Sequence, residues 1–144
     1  MTLRYLLDTS TVSSPVSKIP DPGIVERLDE HGHECAIAAP VWHELTYGCG
    51  RLPQGRRKAA LETYLNDVVR ASFPIVPYDD AAATWHGHER ARLEARGRRV
   101  PYVDGQIAAI ALANKLVLVT VNTRDFSRFV DLRVEDWSKR RARR

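Results

Sequence analysis

A chain of 144 residues is large enough for one hydrophobic core and too small for two independent ones. With 44% apolar and 28% charged residues, 8 Gly and 8 Pro, the composition excludes a fibrous or extensively disordered protein. The formal charge of +4 points to nucleic acid only until its distribution is read: five basic residues fall in positions 139–144, and without them 17 basic stand against 18 acidic residues.

In chain order, Arg4 to Leu7 is a short apolar run that predicts a strand. It ends at Asp8, where Thr9, Ser10 and Thr11 offer capping chemistry for a helix start. Pro22 to His31 opens on Pro, places Ile24, Val25 and Leu28 on one face and stops at Gly32, as a short helix does. Ala36 to Ala39 predicts a second strand, and Pro40 launches a helix that carries Glu44 and ends near Gly48 and Gly50. From Gln54 to Ala71, the residues Leu61, Tyr64, Leu65, Val68 and Val69 follow the spacing of a helix with one buried face.

Ile75 and Val76, between Pro74 and Pro77, form a short extended segment. Asp79 or Asp80 then caps a long polar helix that ends near Gly97. Val103 to Asn114 predicts a helix whose alanines allow close packing, and Leu116 to Val121 an apolar strand buried on both faces. Arg133 to Glu135 adds an edge strand.

Strands separated by helices indicate an α/β sandwich around a mostly parallel sheet, in which ligands bind beyond the carboxyl ends of the strands. Asp8, Glu44 and Asp125 all follow strands on that reading, and Asp104 joins them if its helix starts at the same edge. Singly, each acid has an ordinary explanation as a cap, a solvated side chain or a turn residue. Together, at the margins of apolar segments, they suggest a site.

Other chemistries recede. His43-Glu44-Leu45-Thr46-Tyr47 lacks the second histidine of a HExxH zinc site, and the two His-Gly-His triplets at His31 and His86 have no matching ligand set. Asp8-Thr9-Ser10 lacks the second aspartate of a haloacid-dehalogenase-like phosphatase, and neither a Walker lysine nor a GxSxG elbow is present. Cys35 and Cys49 form no CxxC pair and read as buried thiols. The apolar runs fall well short of the roughly twenty residues of a membrane span, so the expectation is a cytoplasmic protein without membrane contact.

The segments LLDTSTV around Asp8, WHELTYG around Glu44, PYVDGQIAAIAL around Asp104 and LVTVNTRDF around Asp125 resemble, in order, the motifs of PIN-domain proteins, and the last two are similar to those of the bacterial VapC toxins. The resemblance spans Leu6 to about Trp137. It implies a three-layer α/β sandwich with a mostly parallel central sheet flanked by helices, residues 1–138 forming the nuclease domain and 139–144 a basic tail. It further implies that Asp8, Glu44, Asp104 and Asp125 are the family's acidic quartet, catalytic and metal-holding, with Thr120 and Asn122 as supporting polar positions. Ser10 stands where many members have Asn.

The implied activity is a divalent-metal-dependent RNA endonuclease, the toxin of a toxin–antitoxin pair. Its partners would be an RNA substrate and a small antitoxin, with a toxin homodimer and toxin–antitoxin hetero-oligomers. Mg²⁺ or Mn²⁺ suits converging carboxylates, which repel one another until a hard cation neutralises them. Two other readings share the fold: a PIN nuclease of RNA maturation or decay without an antitoxin, and a non-catalytic RNA- or protein-binding module. The tail reads as a solvated end, an RNA-gripping arm or a partner-docking segment.

Overall fold

The computed structural model describes residues 2–139 and is organised by five short strands, all parallel: β1 (Tyr5–Leu7), β2 (Cys35–Ala38), β3 (Ile75–Val76), β4 (Val117–Val119) and β5 (Val134–Glu135). Their order across the sheet is β3-β2-β1-β4-β5. Leu7 pairs with Ile37 on one side and Val119 on the other. The chain thus winds outward from β1 to β3, then returns to β1's other side with β4, and the reversal lies between β1 and β4. Parallel neighbours need crossovers, and helices supply them.

The helices are α1 (Thr9–Ser13), α2 (Pro22–His31), α3 (Ala39–Gly50), α4 (Arg56–Thr63), α5 (Arg70–Ser72), α6 (Asp80–Ala95), α7 (Tyr102–Ala113) and α8 (Thr123–Phe126). Asp21 caps α2 by accepting from the Gly23 and Ile24 amides, and Asp79 caps α6 by accepting from Ala82. Helix α7 is apolar on nearly every side, with Ile107 to Ala111 buried, as a helix enclosed by its neighbours must be. The core joins these residues to Leu6, Leu7, Ile37 and Leu118.

The single helix expected over Gln54 to Ala71 is instead α4 and α5 joined by a π-helical stretch, Tyr64–Val69. A π-helical turn is wider than an α-helical one and shifts the residues after it around the axis. Leu65 and Val69 are buried as their spacing predicts, but Val68 is 44% exposed. Two other expectations differ at their edges. The strand read as Leu116 to Val121 is only three residues long, and Asp125 lies on a short helix rather than an open turn.

Cys35 and Cys49 are buried and unpaired by disulfide, and burial pushes the Cys35 thiol up to about 12. His86 is a satisfied interior histidine: its Nδ1 lies 2.8 Å from the Tyr78 hydroxyl, and burial, then the charge of Arg90, lowers its pKa. Among the described residues, no helix is long and apolar enough to cross a membrane. Of the basic tail, Lys139 is seated on the body, donating its amide to Asp21 at 2.9 Å and its ammonium to Glu26 at 3.0 Å; residues 140–144 lie outside the described residues.

Candidate active site

The reversal between β1 and β4 opens a crevice at the carboxyl end of the sheet, the place where open α/β sheets bind ligands. Asp8 is the first residue beyond β1. Its amide continues the ladder to the Val119 carbonyl at 2.9 Å, which fixes the backbone, and both carboxylate oxygens are engaged. Oδ1 accepts from the Thr9 amide at 2.8 Å, capping α1, and Oδ2 accepts from the Thr120 hydroxyl at 2.8 Å. Thr120 is fully buried, and its oxygen in turn accepts from the Asn122 amide at 3.0 Å. The Asp8 side chain is therefore held from both sides of the crevice.

Glu44 comes from the second turn of α3 and is exposed; its Oε1 accepts from the Thr9 hydroxyl at 3.1 Å. Asp104 lies in the first turn of α7 and is half-buried. Asp125, in α8, is exposed, and its amide donates to the Asn122 carbonyl at 3.0 Å. All four predicted acids thus stand around one crevice.

Their electrostatics record the proximity. The Asp104 carboxyl is pushed up to about 6, first by burial and then by the charges of Asp8, Asp125 and Glu44. Asp8 is also raised, by burial and by Asp125, against the lowering effect of its bonds to Thr120 and Thr9. Among the described residues none of the four joins an ion pair, so the negative charge is not offset by the protein.

The donor set is carboxylate only, which fits a hard divalent cation rather than zinc. Ser10 Oγ, two residues from Asp8, is buried without a hydrogen-bond partner, an oxygen whose bonding capacity is unused by the protein. Among the described residues no three His, Cys, Asp or Glu side chains are drawn together closely enough to hold an ion as they stand. Like charges stand apart in this way until something offsets their repulsion.

Two features were not anticipated from sequence. Thr9 links the first acid to Glu44, a contact across 35 positions that no local pattern announces. A groove of about 360 Å³ runs beside Glu44, lined by His43, Tyr78, Val103 and Gln106 over Ala39 and Pro40. Its signal in the sequence was His43 beside Glu44 and Gln106 two residues after Asp104, whereas nothing local pointed to Tyr78.

The family model described as PIN domain matches residues 5–132. The tRNA(fMet)-specific endonuclease VapC of Shigella flexneri is 34% identical over 138 residues, covering 94% of this chain and 99% of that protein. In structure, FitAcB from Neisseria gonorrhoeae superposes with a TM-score of 0.82 at 28% identity, over 90% of this chain and 95% of that one. DNA-bound VapBC from Salmonella typhimurium does so with a TM-score of 0.80 at 28% identity, over 94% and 99%. The residues that carry the acidic crevice fall within the matched span, and the chain belongs to the PIN-domain family, in its VapC group.

Proposed function

We propose that the chain is a divalent-metal-dependent endoribonuclease acting as the toxin of a toxin–antitoxin pair. The observation that carries this reading is the placement of Asp8, Glu44, Asp104 and Asp125 as charged neighbours at the reversal point of a parallel sheet, with no cation paired to them among the described residues. A bound Mg²⁺ or Mn²⁺ would supply charge neutralisation and Lewis-acid activation for attack of water at phosphorus.

Asp8, Asp104 and Asp125 are the residues that would hold the ion, with Glu44 completing the acidic set. Thr120 and Thr9 fix the Asp8 carboxylate in one orientation, so it offers its oxygens without first losing rotamer freedom. Asn122 holds Thr120 in place through its amide, and the Ser10 hydroxyl, buried two residues from Asp8, keeps its bonding capacity unused by the protein. The similarity to FitAcB and VapBC supports a small antitoxin as partner, and the same reading includes a homodimer in the bacterial cytoplasm.

The test is cleavage of total bacterial RNA by the purified protein in Mg²⁺, with and without excess EDTA, and with Asp8→Asn as the control for contaminating ribonuclease. Cleavage that stops with chelator and is absent from the variant is expected. EDTA-resistant cleavage, or equal cleavage by both proteins, would overturn the reading.

A further inference from the structure

The groove beside Glu44 lies outside the acidic quartet but shares that residue with it. Its walls come from three elements. His43 stands on α3, Val103 and Gln106 on the first turns of α7, and Tyr78 in the segment before α6. The floor is apolar, while the Gln106 amide provides one donor group and one acceptor. The volume of about 360 Å³ lies at the small end of the range of about 300–1,000 Å³ for small-molecule sites.

Its planar groups are held rather than loose. The Tyr78 hydroxyl is bonded to His86, and His86 packs directly against Gly105, the neighbour of Asp104, so the Tyr78 wall is tied to the same helix that carries the acid. On the other side His43 stacks on Tyr47, with ring centroids 6.5 Å apart and planes 20° from parallel. The Arg51 guanidinium lies 5.4 Å from the centre of the Tyr47 ring. His43 and Tyr47 on α3 and Arg51, the residue just after its end, stand four apart and make a row of flat faces, of which Tyr47 is 61% exposed.

Exposed aromatic and guanidinium planes in series are the surfaces on which unpaired RNA bases stack. We propose that the groove seats an unpaired base of the RNA substrate, stacked on His43 beside Glu44, and that Tyr47 and Arg51 continue the path of the single strand. This rests on the ribonuclease reading, because it takes the neighbouring acids to act on a phosphate of the same strand. The Gln106 amide would then meet the base edge and bias which base is accepted.

The test is a binding measurement that does not need cleavage. Fluorescently labelled single-stranded RNAs, one intact and a series with one abasic nucleotide walked through the sequence, are titrated in Mg²⁺ onto Asp8→Asn protein and onto the Asp8→Asn/His43→Ala double variant. His43 is exposed on its helix, so its truncation spares the core.

The expected result is that the His43 change weakens binding of the intact RNA roughly fivefold to a hundredfold. One abasic position should lose a similar factor on Asp8→Asn protein and be insensitive to the His43 change, since the two changes remove the same contact. Equal weakening of intact and abasic RNA at every position, or no weakening at all, overturns the proposal and leaves the groove to a protein side chain. If wild-type protein cleaves no RNA but the base-dependent difference persists, the ribonuclease reading fails and the base site stands.

Discussion

Thr120 donates its hydroxyl to Asp8 across the boundary between β4 and β1, at 2.8 Å, joining the residues that immediately follow the two strands on either side of the sheet's reversal. Leu7 and Val119 are paired in register, so the next residues of the two strands face one another without any further device. The sheet thus places the first acid of the site, and one hydroxyl holds it.

Replacing Thr120 with Val keeps the shape and removes that donor, together with the acceptor for the Asn122 amide. A buried carboxylate that loses a charged hydrogen bond costs about 1–3 kcal/mol of stability, to be read from urea unfolding at neutral pH. RNA cleavage should fall as well, and Thr120→Ser should recover most of both. Equal stability of Thr120→Val and wild type would show that Asp8 does not depend on this bond.

The acids also set a pH dependence in the metal-free protein. The folded Asp104 carboxyl is raised to about 6 from an ordinary value of 3.8, so its contribution is fully present below about pH 4 and is lost as pH rises through about 6. Glu34 and Glu89 are lowered by their partners, His31 and Arg92 respectively, and act in the opposite sense, so the whole-protein curve mixes the two. The difference between Asp104→Asn and wild type isolates Asp104, because Asp8, also raised, is present in both proteins. In EDTA the variant should gain on wild type as pH rises from about 4 to 6, with no further gain above. A flat difference would mean that neither burial nor the neighbouring acids raise the Asp104 carboxyl.

Much of this was legible in the sequence because it depends on local order. Asp8 and Asp125 lie close after apolar strands, so the strand–helix alternation brings them to one edge, and Asp104 joins them because its helix begins at that edge, which the spacing permitted without requiring. The Thr9–Glu44 bond was not legible, since it depends on how β1 and β2 pair and on where α3 starts. Nor was the exposure of Val68: a helical spacing of apolar residues does not distinguish α from π winding, yet the wider turn alters which side chain reaches the core. The groove beside Glu44 was not legible either, because it needs three elements from different parts of the chain.

Gly105 explains one absence of a side chain next to an acid. A Cβ there would overlap the His86 ring, which is itself held by Tyr78. Gly105→Ala should therefore destabilise the protein by about 1–3 kcal/mol through overpacking. Adding His86→Ala should recover part of that loss, a coupling that thermal or urea unfolding of the two single variants and the double variant will measure. Additive losses would show that the two residues do not share this contact.

At the other end of the chain, Trp137 is buried edge-to-face on Tyr5 with centroids 5.0 Å apart, and the Arg27 guanidinium lies 4.9 Å from its ring centre. Trp137→Ala should cost about 3–5 kcal/mol. Removal of residues 140–144, which have no apolar periodicity, should change stability by less than about 0.5 kcal/mol. If the tail grips RNA, its removal should also make binding less sensitive to salt. A large loss of stability on truncation would assign the tail to the fold.

Action of the crevice acids on RNA through a divalent ion is tested most directly by Asp104→Asn, measured for cleavage and for melting temperature with and without Mg²⁺. A ligand stabilises a fold only through its affinity for it. Wild type should therefore melt higher in Mg²⁺ and cleave RNA, whereas the variant should melt at least as high as wild type in EDTA, gain less from Mg²⁺ and lose most cleavage. A variant that cleaves as well as wild type and gains as much stability from Mg²⁺ would contradict the account.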